Sequence, residues 1–437
     1  MHEVLYIHPK TPMTYPRNIP ISIPALVKRI QYPVKGMCAS KVRKHHISQA
    51  KVIFMDVHWF FSLKGAKELV TRCKRWNPSV LIIAGGITAT EFPEQLIETI
   101  GVDYVLRGDG EIPLPMLVNA LMTGGSLANV PNLIGKEVNN LFRVKPYKLT
   151  KSDFNENNFY DVSFFPYMER ELQSLHRRNP GYPPFIYPFL LPFRGCPIEC
   201  DFCGGAPDEQ QKLFNRKVVY RSADRLNEDF NQLESIPWIR FYNCLLDYLT
   251  LMNPAYVEKA LPKKKSRLFV QHEFTKAPDP EILELFLSRF SGGMIHFSVD
   301  SMHLTSEYLN DPDLMVTLIK NTQNNHPTYM PILDFSSVYV QSNPEYKKAL
   351  QYIHKKTNCF VYDGSIWWSD FPKPANDGYA SPDKFDHFMN NAITFKHFIS
   401  NNLVGVMNIV DATMPKNVKI LLRKLYYGKY YKRWIYG

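Results

Sequence analysis

The sequence predicts an α/β protein: an N-terminal doubly wound sheet domain, then a partial β/α barrel of six units, then a small, mostly helical C-terminal cap. Three observations predict it. Strand-like apolar runs alternate with amphipathic segments over residues 1–125, the alternation resumes at Pro188, and a loop with three closely spaced cysteines follows the first strand of the second series.

Composition bounds the problem. A chain of 437 residues, 45% of them hydrophobic, is long enough for two or three cores. Seven cysteines, an odd number, with Cys38, Cys73, Cys244 and Cys359 scattered, do not make a secreted disulfide framework, so a reducing cytoplasm is expected. The opening Met1–Ile7 reads as a strand rather than a signal sequence, and no uninterrupted apolar run reaches the roughly 20 residues that span a bilayer. The net charge of +11 favours an anionic partner without specifying one, and no nucleic-acid partner is expected. Part of the excess lies between Lys416 and Gly437, where Lys419, Arg423 and Lys424 mix with Tyr426, Tyr427 and Trp434. That end is either a helix packed on its own domain with its basic face outward or a peripheral contact for an anionic membrane or an acidic substrate.

In the first domain, Val4–His8, Val52–Val57, Val80–Ala84 and Tyr104–Leu106 are the strand-like runs; Ile23–Ile30, Ala66–Arg75, Glu91–Ile100 and Leu114–Met122 alternate with them. Ligands of such a sheet sit beyond the carboxyl ends of its strands, which directs attention to three loops. His58-Trp59-Phe60-Phe61-Ser62 is bulky enough to expect a large, flat cover. In Gly85-Gly86-Ile87-Thr88-Ala89 the glycines let the backbone approach a ligand, and Thr88 can hydrogen-bond it. The third loop is Arg107-Gly108-Asp109-Gly110-Glu111. Nucleotide binding competes for the Gly-Gly turn, although G-x-G-x-x-G is missing after the first strand, where His8-Pro9-Lys10-Thr11-Pro12 stands.

Residues 126–187 read as a connector, rich in Asn, Gly, Pro and Lys, whose aromatics Phe159, Tyr160, Phe164, Phe165 and Tyr167 predict packing against both neighbouring domains. Over residues 188–375 the strands are Phe189–Arg194, Trp238–Asn243, Arg267–Phe274, Met294–Val299, Tyr329–Phe335 and Cys359–Tyr362. Polar residues near their ends are expected to face one cavity: Asn243 and Asp247, His272 and Glu273, Ser298 and Asp300, Asp334 and Ser336. Trp367 and Trp368 either line an apolar pocket or close the bottom of the barrel. Over residues 376–437, Phe385, Phe388, Met389, Ile393 and Phe398 fall at helical spacing and give the cap.

The cysteine loop reads Arg194-Gly195-Cys196-Pro197-Ile198-Glu199-Cys200-Asp201-Phe202-Cys203-Gly204-Gly205. Three thiolates on one tight loop can hold three irons of a [4Fe-4S] cluster and leave the fourth open to a small molecule. A zinc site would ordinarily call on a fourth ligand, and no second C-x-x-C pair occurs. Three unrelated buried cysteines are the plain alternative.

This C-x-x-x-C-x-x-C spacing, with an aromatic residue before the last cysteine and Gly-Gly after it, resembles the radical S-adenosylmethionine (SAM) enzymes. The resemblance implies that Cys196, Cys200 and Cys203 ligate the cluster, that Gly204 and Gly205 contact the methionine end of SAM, and that electron transfer to SAM yields a 5'-deoxyadenosyl radical. It also implies SAM contacts from Ser298 and then Asp300, each of which has a loop-capping alternative, with Glu273 and His272 as further candidates. The glycine-rich turn of the fifth strand is replaced by Ile332-Leu333-Asp334-Phe335-Ser336-Ser337. Upstream, the Gly-Gly-x-Thr turn, Val102-Asp103-Tyr104-Val105 and Arg-Gly-Asp-Gly-Glu together resemble the Rossmann-like cobalamin-binding domain of the cobalamin-dependent members. That resemblance makes Gly85, Gly86 and Thr88 candidates for the pocket of the nucleotide tail, with Gly108 and Glu111 beside them. The D-x-H-x-x-G motif of other cobalamin proteins has no copy: Asp56-Val57-His58 begins like it, but Phe61 replaces its glycine. Either His58 or Trp59 is expected under the cobalt, as a ligand or by crowding, unless both are packing residues.

The implied function is methyl transfer from methylcobalamin to an unactivated carbon, with [4Fe-4S], SAM and cobalamin as cofactors and an external low-potential electron donor. Its organic substrate is expected to be anionic or amphiphilic. Radical cyclisation or rearrangement with a cobalamin that does not methylate is the second enzyme reading. A corrinoid-binding sensor or carrier with a structural cluster is the third.

Overall fold

The computed structural model describes residues 3–11, 19–58, 60–137, 140–178, 187–198, 207–244, 246–298, 311–335 and 343–363, with Phe385, Asp386 and Met389 beyond them. They fall into two units. The first comprises Met1–Leu172, Asp208–Val219 and the described residues of Pro374–Gly405; the second comprises Gln173–Pro207 and Tyr220–Lys373.

The first unit is built on a seven-stranded sheet. Its strands are β1 (Val4–His8), β2 (Val34–Cys38), β3 (Val52–Asp56), β4 (Leu81–Gly85), β5 (Tyr104–Leu106), β6 (Leu133–Glu137) and β7 (Asn140–Arg143), in the order β2-β1-β3-β4-β5-β6-β7. Pairing is parallel from β2 to β5 and antiparallel for β6 and β7, which follow residue 125. Every residue of β1 (VLYIH) and β3 (VIFMD) is buried, as continuous apolar runs covered on both faces should be. The helix Leu63–Trp76 covers one face with Leu63, Ala66, Leu69, Val70 and Cys73 at spacings of three and four. Its Gly65 is there for room: a Cβ on it would lie 1.9 Å from the backbone oxygen of Lys10, just beyond β1.

Three strands of this sheet have no counterpart in the sequence reading. β2 (VKGMC), β6 (LIGKE) and β7 (NLFR) are short and only partly apolar, which removes the periodicity that would reveal them. The region read as a connector supplies core to this unit: Phe154, Phe159, Tyr160 and Phe165 are buried, and Phe164 and Phe165 lie edge-on to Tyr6 of β1.

In the second unit, β10 (Phe241–Cys244), β11 (Phe269–Phe274), β12 (Gly292–Ser298), β13 (Tyr329–Phe335) and β14 (Phe360–Asp363) form a parallel sheet in chain order; β8 (Phe193–Arg194) and β9 (Val219–Tyr220) are a short separate pair. Pro188–Leu190 adds a sixth parallel position beside β10, since Leu190 donates to the Asn243 carbonyl (2.7 Å) and Asn243 to that of Pro188 (3.0 Å). Five strands and this one bridged position make up the partial β/α barrel. Four of its helices open with the same two residues, an Asn or Asp cap followed by proline: Asn253-Pro254, Asp279-Pro280, Asp311-Pro312 and Asn343-Pro344. Each cap oxygen accepts a backbone N–H from the first turn, while proline takes the place whose N–H has no helical partner.

Alternation along these strands sorts their side chains. Tyr242, His272 and Phe274 pack on Phe230 or Phe286 of the helices, and Phe297 stacks on Phe274, so these residues face the helical layer. Asn243, Gln271, Glu273, His296, Ser298 and Asp334 therefore face the opposite side, the barrel interior.

Two predictions follow from packing. Gly65→Ala should destabilise the first unit by roughly 2 to 3 kcal/mol through overpacking against a backbone atom that cannot yield, read as an earlier thermal transition. His176 is stacked on Phe241 (3.9 Å), with its Nδ1 accepting from Arg240 N–H and its Nε2 donating to the Tyr187 carbonyl. Burial lowers its pKa from 6.5 to about 4. Between these values the unfolded chain takes up a proton that the folded one does not, so stability falls as the pH falls through this window, by up to about 3 kcal/mol. The ratio of midpoint denaturant concentrations at pH 7.5 and pH 4.5 should be closer to one in His176→Gln than in the parent.

Candidate functional site

The strand order reverses between β1 and β3, so the switch point of the first unit lies at their carboxyl ends. A buried polar cluster stands there. The Asp56 carboxylate accepts from Tyr6 Oη (2.6 Å) and is bonded to His8 Nδ1 at 2.8 and 3.0 Å. Thus the aspartate that opens the D-x-H resemblance is bonded to the histidine of β1. His58 is half-buried two residues further on. Its carbonyl accepts from Thr88 N (3.3 Å) and Thr88 Oγ1 (3.1 Å), while Val57 donates to Gly85 O (2.7 Å). Trp59 lies outside the described residues. Phe60 and Phe61, expected to await a large flat cover, are buried by the protein itself.

The glycine turn is shaped by this stitching. Gly86 has φ +109, and a Cβ on it would lie 2.8 Å from His58 Cα, so β3 and β4 come together here only because the residue is glycine. Gly85, Gly86 and Ile87 are half-exposed beside buried strand residues, and a Cβ on Gly85 would meet nothing nearer than Leu106 O at 4.0 Å. This accessible backbone at the end of a buried sheet fits the close approach of a large ligand. Thr88 is buried, its hydroxyl on His58. Gly108 N donates to Thr90 Oγ1 (2.9 Å), and Glu111, fully buried, accepts from Asn157 Nδ2 (3.1 Å), so both hold the protein's own loops together.

In the second unit Cys196 begins the cysteine loop two residues after β8 and is half-exposed. Burial, then the neighbouring Cys196, pushes the Tyr220 phenol up. Cys200, Cys203, Gly204 and Gly205 lie outside the described residues, among which no group of three metal-ligating side chains occurs. The other thiols differ in kind. Cys73, Cys244 and Cys359 are buried, and burial pushes Cys73 and Cys359 up to about 11 and Cys244 higher, so they stay protonated and make poor ligands. The strand that leads into the loop is anchored: Arg221 N donates to Pro192 O (2.9 Å), and the fully buried Arg221 guanidinium pairs with Asp229 (2.5 and 2.8 Å).

At the barrel's strand ends, Ser298 is buried in register with Asp334, and Glu273 is half-buried in register with His296. A polar string that the sequence did not disclose runs beneath them. Gln271 Nε2 lies 3.1 Å from His296 Nε2, and His296 Nδ1 is 2.9 and 3.0 Å from the Asp334 carboxylate. With the Gln271 amide donating, the imidazole proton sits on Nδ1 and is shared with Asp334.

Two residues expected in the same cavity are elsewhere. His272 faces the helical layer among Tyr248, Phe274 and Phe286, its Nε2 3.6 Å from Asp247, too far for a hydrogen bond. Asp247 caps the helix Tyr248–Leu251 and also accepts from Thr275 N (2.8 Å). Asp300, Ser336, Trp367, Trp368 and the basic Lys416–Gly437 segment lie outside the described residues. Of the cap, Phe385 is buried in the first unit against Phe92.

Residues 37–118 match the family model of the B12 binding domain. An uncharacterized methyltransferase of Pyrococcus horikoshii, PH0819, is 26% identical over 196 residues, 45% of this chain and 39% of the relative. The chain thus spans about two-fifths of the length of the curated relative it matches. Among solved structures, the radical SAM methyltransferase TsrM of Kitasatospora setae, bound to tryptophan and a SAM analogue, superimposes with a TM-score of 0.58 at 15% identity, covering 80% of this chain and 71% of its own. OxsB, a cobalamin-dependent SAM radical enzyme with aqua-cobalamin and SAM bound, gives 0.56 at 13% identity, covering 90% of this chain and 56% of its own. With a match to the B12 binding domain over residues 37–118 and a partial barrel of five parallel strands and one bridged position, this chain has the fold of the cobalamin-dependent radical SAM enzymes.

Proposed function

We propose that this protein is a cobalamin-dependent radical SAM methyltransferase that acts on a carbon without an acidic proton. The observation that carries the reading is the coincidence on one chain of a B12-binding domain and a three-cysteine loop at the mouth of a β/α barrel. When bound, the cluster and SAM supply one-electron cleavage of the sulfonium, and cobalamin supplies the methyl group. Cys196, Cys200 and Cys203 hold the cluster, and Gly204 and Gly205 admit the methionine end of SAM. Ser298 and Glu273 face the barrel interior and offer hydrogen bonds to SAM; Asp300 follows Ser298 by two residues and joins them. In the first unit, the Gly85-Gly86 backbone and the His58-Trp59 loop receive the corrinoid, with Thr88, Gly108 and Glu111 holding those loops in place.

A carbon radical requires a site closed to water. A low-potential protein or chemical donor supplies electrons, and the substrate is an organic molecule, anionic or amphiphilic in keeping with the basic chain. No helix among the described residues is long and apolar enough to cross a membrane. The cysteine usage, an odd number without a disulfide framework, supports a reducing cytoplasm as the location.

The second reading is radical cyclisation or rearrangement with a cobalamin that does not methylate. Anaerobically reconstituted protein with SAM, a low-potential reductant and methylcobalamin separates the two. S-adenosylhomocysteine together with 5'-deoxyadenosine supports methyl transfer; 5'-deoxyadenosine alone supports rearrangement; neither product overturns both. Cys196→Ala should lose the brown cluster chromophore and all reductive SAM cleavage. Ser298→Ala should keep the chromophore and raise the SAM concentration for half-maximal cleavage roughly fivefold, equivalent to about 1 kcal/mol for one lost hydrogen bond.

A further inference from the structure

We propose that the amino-terminal face of the barrel carries a docking groove for an acidic segment of a partner protein, anchored there by an apolar side chain. All of the residues concerned belong to the second unit. A groove of about 550 Å³ opens where β10 and β11 begin, lined by Pro237, Arg240 and Arg267 just ahead of the strands and by Phe269 at the start of β11. Glu234 and Ser235, which end the helix Ala223–Ser235, form its other side. These strands run parallel, so the groove lies at the opposite end of the sheet from Glu273, Ser298 and Asp334, and the chemistry proposed above makes no use of it.

Its charges divide into those already committed and those that are not. Arg267 is committed: its terminal nitrogens donate to the carbonyls of Ile239, Glu234 (2.7 Å) and Ile236 (2.9 Å), and its Nε lies 3.4 Å from the Glu234 carboxylate. Glu234 in turn accepts from Ser266 Oγ and Arg267 N. Together they fix the turn that delivers Arg240. Arg240 is exposed, and its guanidinium has no ion pair or hydrogen bond among the described residues; only its backbone N–H is engaged, by His176 Nδ1 (3.2 Å). Beside the groove run Lys263, Lys264 and Lys265, exposed and likewise without an ion pair among the described residues. They are tied to it through Arg289, which donates to Lys263 O and accepts at its own carbonyl from Ser266 N (2.8 Å).

Uncompensated cations gathered on one face complement an anionic partner. Shape and composition narrow the partner to a peptide. A recess walled by Phe269 and Pro237 receives a projecting apolar side chain, whereas a bilayer is met by protruding groups rather than by a hollow. The Glu234 carboxylate on the wall disfavours the closely spaced phosphates of a nucleic acid. Arg240 beside the apolar wall can take a carboxylate on both prongs of its guanidinium, and arginine next to an aromatic ring is the composition in which binding energy concentrates at protein interfaces.

The test uses the full chain and the fluorescence anisotropy of a dye-labelled peptide in which glutamates flank one phenylalanine. Binding should weaken roughly tenfold in Arg240→Gln and in Lys264→Glu, as expected for one lost charge-assisted contact, and roughly fivefold when serine replaces the phenylalanine of the peptide. Arg43→Gln/Lys44→Gln, which removes two exposed charges from the first unit, should leave binding unchanged. No binding by the parent, no weakening in Arg240→Gln, or equal weakening in the Arg43/Lys44 variant overturns the proposal, the last two by reducing the effect to net charge. Tighter binding of a single-stranded oligonucleotide or of phosphatidylglycerol vesicles, lost in Arg240→Gln, overturns the choice of a protein partner. The assay contains no cluster, SAM or cobalamin, so its outcome is independent of the functional reading above.

Discussion

A parallel strand buried on both faces can place a polar side chain without a partner only at its ends. In both sheets of this protein polar side chains gather at the carboxyl ends. In the first, β1 and β3 are buried throughout and turn polar only at His8 and Asp56. In the second, Glu273, Ser298 and Asp334 come at or next to the last residue of their strands. The cysteine loop follows the same rule, leaving the barrel just after its first strand position.

Where polar groups penetrate deeper, several do so in bonded sets. The Tyr6–Asp56–His8 cluster, the Gln271–His296–Asp334 string and the Arg221–Asp229 pair each bring together partners from separate elements. Such sets contribute little net stability, yet removing one member strands another in an apolar surrounding at a cost of several kcal/mol. They behave as all-or-none joints, and all lie beside a strand end or under one. Their value is in fixing which strand neighbours which, and therefore where the loops begin.

How much of this was legible in sequence depends on range. Continuous apolar runs announced β1, β3, β4 and β5, because such runs are local signals. β2, β6 and β7 were silent because short strands of mixed polarity have no period to detect. The side-chain sets were silent for another reason: His8 and Asp56 are 48 residues apart, so their pairing exists only once the sheet order is known. Placing His272 with Glu273 ignored the alternation of a strand, under which adjacent residues cannot share a cavity. Gly86 was noticed for a ligand, yet its nearest constraint is the His58 backbone.

The Asx-Pro pairs that open four barrel helices have an evolutionary corollary. Because each helix carries its own starting signal, its first turn does not depend on the length or composition of the segment preceding it. The stretches between Ser298 and Asp311 and between Phe335 and Asn343, which issue from strand ends, are thus free to lengthen, shorten or change chemistry without shifting the helices behind them. A scaffold punctuated in this way tolerates variation in its connections while its helices keep their register.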